Sequence, residues 1–132
     1  MHTHQIMIID DDPEDQWIIR DTLEELNTGA IAVYASHGEQ ALAMLAEEYL
    51  GNRKPKVIVL DLNMPLMNGT ATLGRLKADD RFKDIPVIIY STSINPYEMD
   101  KCMELGAHSY ITKPISIEET QAIVEKMLSF CE

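Results

Sequence analysis

Two rhythms alternate along the chain. Short, continuous apolar runs occur at residues 5–9 (QIMII), 31–35 (IAVYA), 57–60 (VIVL), 87–90 (VIIY) and 109–111 (SYI). Runs of this length without polar alternation read as strands buried on both faces. Between them lie amphipathic stretches with helix start and stop signals. The first helix is expected to begin after Asp12, with Pro13 at its first position. Its apolar residues at 19, 23 and 26 turn inward, Trp17 packs, and Asn27, Thr28 and Gly29 end it. A second helix is expected over about 38–50 and a short third over about 70–78. The fourth opens with Asn95 as N-cap, Pro96 next and Glu98 at the third position, and it stops before Gly106. The fifth repeats the device with Ser116 and Glu119. Five strands alternating with five helices imply an α/β domain whose parallel sheet is covered on both faces. No repeat, low-complexity stretch or linker divides the chain. One domain is expected over residues 1–132, with a core over about 5–130 and no output domain.

Charge narrows the choice of partners. The 132 residues carry a formal net charge of -11, with 45% hydrophobic and 25% charged residues. Such a surface repels a phosphate backbone, so no nucleic acid is expected, and a divalent cation or a basic partner fits better. Cys102 and Cys131 form no C-x-x-C pair, which agrees with free thiols in a reducing cytoplasm. No apolar run approaches membrane-spanning length. The opening MHTHQ lacks secretory signal character, and His2 and His4 read as a frayed end. Met64, Met67, Met99 and Met103 read as filler of the core or its rim.

Ligand sites in open parallel sheets lie beyond the carboxyl ends of the strands. Asp10, Asp11 and Asp12 follow the first strand there, and Asp61 the third. Ser91 and Thr92 follow the fourth, and Thr112, Lys113 and Pro114 the fifth. Clustered carboxylates suit a hard divalent ion such as Mg2+. An aspartate is able to attack phosphorus and form an aspartyl phosphate, with a metal and a lysine neutralising the transferred charge. Each residue also has a plainer reading. Asp12, Glu14 and Asp15 suit a helix N-terminus. Asp10 and Asp11 would serve a solvated turn, Asp61 a turn former, Ser91 a loop, Lys113 a surface, and Tyr110 strand packing.

Four segments together resemble the receiver domain of two-component response regulators: IIDD, DLNMPLMNG, IPVIIYSTS and GAHSYITKP, in that family's order and spacing over essentially the whole chain. The resemblance implies a flavodoxin-like, doubly wound five-stranded parallel sheet in order 2-1-3-4-5 with five helices. It implies a phosphorylation-dependent switch, not a conventional enzyme. Asp61 resembles the phosphoacceptor, and Asp10 and Asp11 the acidic pair holding Mg2+, with Mn2+ a possible substitute. Asn63 matches the position whose backbone carbonyl binds the metal. Ser91 matches the switch hydroxyl, Lys113 the lysine on the phosphoryl group, and Tyr110 the aromatic that follows the switch. The resemblance also implies a cis Lys113–Pro114 peptide. It implies a histidine kinase or histidine phosphotransfer protein as donor. The downstream target would meet the face of helix 4, strand 5 and helix 5, on a monomer or weak homodimer. STSIN and the spacer EEYLGNRKPK are similar to those of small stand-alone receivers serving hybrid or phytochrome-type kinases. Thr92 stands where the family often has Ala or Gly, and its branched side chain is expected to restrict access to the phosphoryl group.

Two alternatives remain beside this resemblance. A haloacid-dehalogenase-type phosphatase would use Asp10, Asp12, Ser91 and Lys113. Against it stand Pro13, the lack of a later strand ending in acids, and the lack of room for a cap domain. A receiver-like module that binds partners without phosphorylation would not need the full set of acids and lysine.

Overall fold

The structure is a computed structural model and describes residues 5–26, 29, 31–50, 54–62, 68–92 and 95–131, with the side chains of 48–50 left aside. The elements alternate strictly: β1 Ile6–Ile9, α1 Pro13–Leu26, β2 Ala32–Ala35, α2 Gly38–Leu50, β3 Val57–Asp61, α3 Gly69–Ala78, β4 Val87–Ser91, α4 Pro96–Glu104, β5 Ser109–Thr112 and α5 Ile117–Ser129. All strand pairs are parallel, in order β2-β1-β3-β4-β5.

Period-two alternation divides the core between the two sheet faces. Met7, Ile9, Ile58, Leu60, Val87 and Ile89 meet Leu45 of α2, Leu73 and Leu76 of α3, and Cys102 of α4. The intervening Ile6, Ile8, Val57, Val59, Ile88 and Tyr90 meet Ile19 and Leu23 of α1 and Val124 and Met127 of α5. Each such side chain, fully buried, contributes about 1.5–3 kcal/mol. The central strands are therefore a stiff frame for whatever stands at their ends.

Helix ends follow their local chemistry. Asp12 Oδ1 accepts from Glu14 N at 2.9 Å, and Asn95 Oδ1 accepts from Tyr97 N and Glu98 N. Ser116 Oγ accepts from Glu119 N, while Glu119 Oε2 takes the Ile115 amide, one residue upstream of the usual reciprocal partner. Gly106, at φ 105°, turns the chain out of α4 with a conformation few other residues adopt.

Several expectations need correction. Only β1, β3 and β4 are buried throughout; β2 and β5 lie at the sheet edges and are half-exposed along most of their length. Trp17 is 61% exposed, because the inward stripe of α1 runs through Ile19, Thr22 and Leu23. Met103 is exposed, since Cys102 occupies the inward position of α4. The Lys113–Pro114 peptide is trans, the ordinarily favoured isomer before proline, not cis. Asn63, Met64 and Met67 lie outside the described residues, as do His2, His4, Asn27 and Thr28.

Candidate functional site

Strand register brings the acids together. Ile9 pairs with Leu60, so Asp10, one step on, stands beside Asp61. Asp10 continues the row Ile6, Ile8, and Asp61 continues the row Val57, Val59. Both rows face α1 and α5. Like charges are thus forced together by a frame too well packed to let them part. Asp10 and Asp61 are buried, at 1% and 3% exposure, and Asp11 is exposed. One carboxylate oxygen from each of the three lies within 4.8 Å of the others.

A glycine holds the end of β3 in place. Gly69 N donates to Leu62 O at 3.0 Å. A Cβ at residue 69 would sit 2.5 Å from the Asp61 carbonyl oxygen and 2.5 Å from Leu62 Cα. Only glycine allows α3 to start this close to the acid-bearing strand.

Lys113 answers the acids from the end of β5. Its Nζ lies 2.6 Å from Asp15 Oδ2, 3.0 Å from Asp10 Oδ2 and 3.5 Å from Asp61 Oδ2. Its backbone N donates to Ser91 O at 2.6 Å, tying it to the end of β4. Burial alone would lower the Lys113 pKa. Hydrogen bonds to Asp15 and Asp10, with the charges of Asp10 and Asp61, outweigh it and raise the pKa. The ammonium is therefore fully charged at neutral pH. Burial raises the Asp10 pKa, against the Asp12 amide and Lys113. Asp10 Oδ1 accepts from Asp12 N at 2.9 Å. The buried Asp10 Oδ2 has the Lys113 ammonium, at 3.0 Å, as its one partner among the described residues. A buried carboxylate oxygen with a single cationic partner, beside two further carboxylates, fits a hard cation.

Ser91 closes β4 and is buried, in register with Thr112, while Thr92 beyond it is exposed. Tyr110 is half-buried and packs on the α2–α4 side of the sheet. Asp10, Asp11, Asp61, Ser91 and Lys113 thus gather at one sheet edge, and Tyr110 lies apart within β5. Two polar residues of α1 join them without having been singled out from the sequence. Asp15 contacts Lys113, and Gln16 Nε2 donates to Asp10 O at 2.6 Å. First-turn acids are ordinary in helices, so nothing in the sequence marked Asp15.

Fold and site together define a doubly wound α/β protein with an acidic, lysine-bearing edge suited to a cation and a phosphoryl group. The profile of the response regulator receiver domain matches residues 6–125, and the chain belongs to that family. It is a receiver domain of two-component signalling. Chemotaxis protein CheY1 of Helicobacter pylori is 32% identical over 123 residues, covering 93% of this chain and 93% of its own. Response regulator Rcp1 of Synechocystis is 28% identical over 127 residues, covering 95% and 86%. Among solved structures, the phosphorylated cyanobacterial phytochrome response regulator RcpA aligns with TM-score 0.85 and 30% identity over 98% of this chain and 94% of its own. The Mn2+-bound form of Rcp1 aligns with TM-score 0.82 and 27% identity over 97% and 94%.

Proposed function

We propose that Asp61 accepts a phosphoryl group from a phosphohistidine on a histidine kinase or histidine phosphotransfer protein. The observation that carries this reading is Lys113 Nζ lying between Asp10 and Asp61 at the buried edge of the central strands. Asp10, Asp11 and Asp61 would hold Mg2+ or Mn2+, with the Asn63 carbonyl as a further ligand. When bound, the cation supplies neutralisation of charge on the phosphoryl oxygens. Asp61 attacks phosphorus through a carboxylate oxygen. The bond from phosphorus to the imidazole nitrogen breaks, and its electron pair stays on that nitrogen. Lys113 carries positive charge towards the new group, and Ser91 offers a hydroxyl donor. The face of α4, β5 and α5, with Tyr110 on it, then shifts population and alters contact with a downstream protein or passes the phosphoryl group on. The Mn2+ of Rcp1 and the phosphorylation of RcpA support the reading by likeness.

The domain acts in this reading as one receiver over residues 1–132, cytoplasmic, a monomer or weak homodimer, binding no nucleic acid. A phosphohistidine reaches Asp61 only if its protein covers this sheet edge. Among the described residues, the exposed apolar side chains Trp17, Ile18, Ile115 and Ile117 border a groove of about 380 Å³ beside Lys113. They form the surface on which the donor protein would rest. The phosphatase reading is less favoured, because its second acid, Asp12, spends one carboxylate oxygen on capping α1.

Incubation with acetyl phosphate and Mg2+ tests the reading by intact mass. One added phosphoryl group, absent in Asp61→Asn, is expected. Rapid turnover of phosphate esters that survives Asp61→Asn and is lost in Asp10→Asn would establish the phosphatase instead.

A further inference from the structure

The ammonium of Lys113 is closest to an acid outside the strand-end set. Asp15 Oδ2, on the first turn of α1, receives its hydrogen bond at 2.6 Å, against 3.0 Å to Asp10 and 3.5 Å to Asp61. Attraction falls with distance, so Asp15 pulls on the ammonium at least as hard as the acceptor does. The Asp15 side chain is 26% exposed and Lys113 11%. The pair is therefore screened less than a surface ion pair, and Asp15 still turns a charge towards the groove beside the site.

We propose that Asp15 is a positioning residue that draws Lys113 towards α1 in the unphosphorylated protein and so restrains phosphorylation of Asp61. The proposal rests on Asp61 being the acceptor. Before transfer, Asp15 and Asp61 each offer the ammonium one carboxylate, and Asp15 holds the shorter contact. After transfer, the group on Asp61 carries nearly twice that charge, as phosphoryl groups on side chains do, and the balance tips away from Asp15. Asp15 opposes labelling in two ways: it occupies the lysine, and its own charge repels the incoming phosphodonor. The helix cap does not depend on it, because Asp12 performs that role.

The test is the rate of labelling by acetyl phosphate at saturating Mg2+, measured across donor concentration for the wild type, Asp15→Asn and Asp15→Glu. In this reaction an Asp61 oxygen bonds to phosphorus while the bond from phosphorus to the acetate oxygen breaks, and acetate leaves as its carboxylate. Asp15→Asn is expected to label several-fold faster, with the advantage shrinking as salt rises, and Asp15→Glu to return towards the wild-type rate. The Nζ resonance of Lys113 should move in unphosphorylated Asp15→Asn towards its position in the phosphorylated wild type. If Asp15→Asn does not fold, Asp15→Ser takes its place. A labelled wild type with an equal or slower Asp15→Asn overturns the role of Asp15 alone. A wild type that takes no label overturns the acceptor reading, and the role of Asp15 with it.

Discussion

Asp10 and Asp61 owe their closeness to neighbours that carry no charge. The rows Ile6–Ile8 and Val57–Val59 fix their direction, and Gly69 allows α3 to close on the Asp61 backbone. Gly69→Ala forces a Cβ against main-chain atoms that cannot rotate away. We expect a loss of about 1–3 kcal/mol in urea unfolding, together with slower labelling of Asp61; an unchanged midpoint would contradict the close approach. Asp11 differs because it is exposed. Asp11→Asn should leave the metal-free protein within about 0.5 kcal/mol of wild type. It should also abolish most of the rise in thermal midpoint that Mg2+ produces by binding the folded state. An undiminished Mg2+ effect would remove Asp11 from the cation site. Asp10, Asp11, Asp61, Ser91 and Lys113 were legible because polar residues directly after buried apolar runs are conspicuous. Asp15 was not, since a first-turn acid satisfies the helix dipole whether or not a lysine reaches it from β5. The trans peptide before Pro114 was likewise beyond reach, because sequence constrains an isomer only weakly.

Among the elements, helices announced themselves through their caps. Asn95 and Ser116 begin α4 and α5 where their side chains accept amides. Strand identity was equally plain, but edge and centre were not distinguishable from the residues themselves. IAVYA reads like a central strand, yet β2 has a partner on one side only and stays half-exposed. Exposure also misled at Trp17, where an aromatic on an amphipathic helix suggests packing. It lies instead with Ile115, 95% exposed, beside the groove at Lys113. Trp17→Ala with Ile115→Ser should slow transfer from a phosphorylated histidine phosphotransfer protein about tenfold, as loss of interface anchors does. Labelling by acetyl phosphate should slow much less. Equal slowing with both donors would show that this face is not where the donor protein rests.

For the molecule as a whole, parallel topology places every strand's carboxyl end on one edge, and charge then selects what binds there. A net charge of -11 gathers cations and turns away polyanions. No helix among the described residues is long and apolar enough to cross a membrane. The two-sided core holds the acids at the sheet edge, and Lys113 spans from β5 to α1 across that edge. Under the proposed function, switching in such a frame would be a redistribution of one ammonium and one hydroxyl around a new charge. The proposed function comes down to one bond: Asp61, and neither Asp10 nor Asp11, would form it to phosphorus. Borohydride reduction after acetyl phosphate labelling converts a phosphorylated aspartate to homoserine, and peptide mapping by mass spectrometry locates it. Homoserine at residue 61 alone is the expected result; homoserine at residue 10 or 11 would contradict the account.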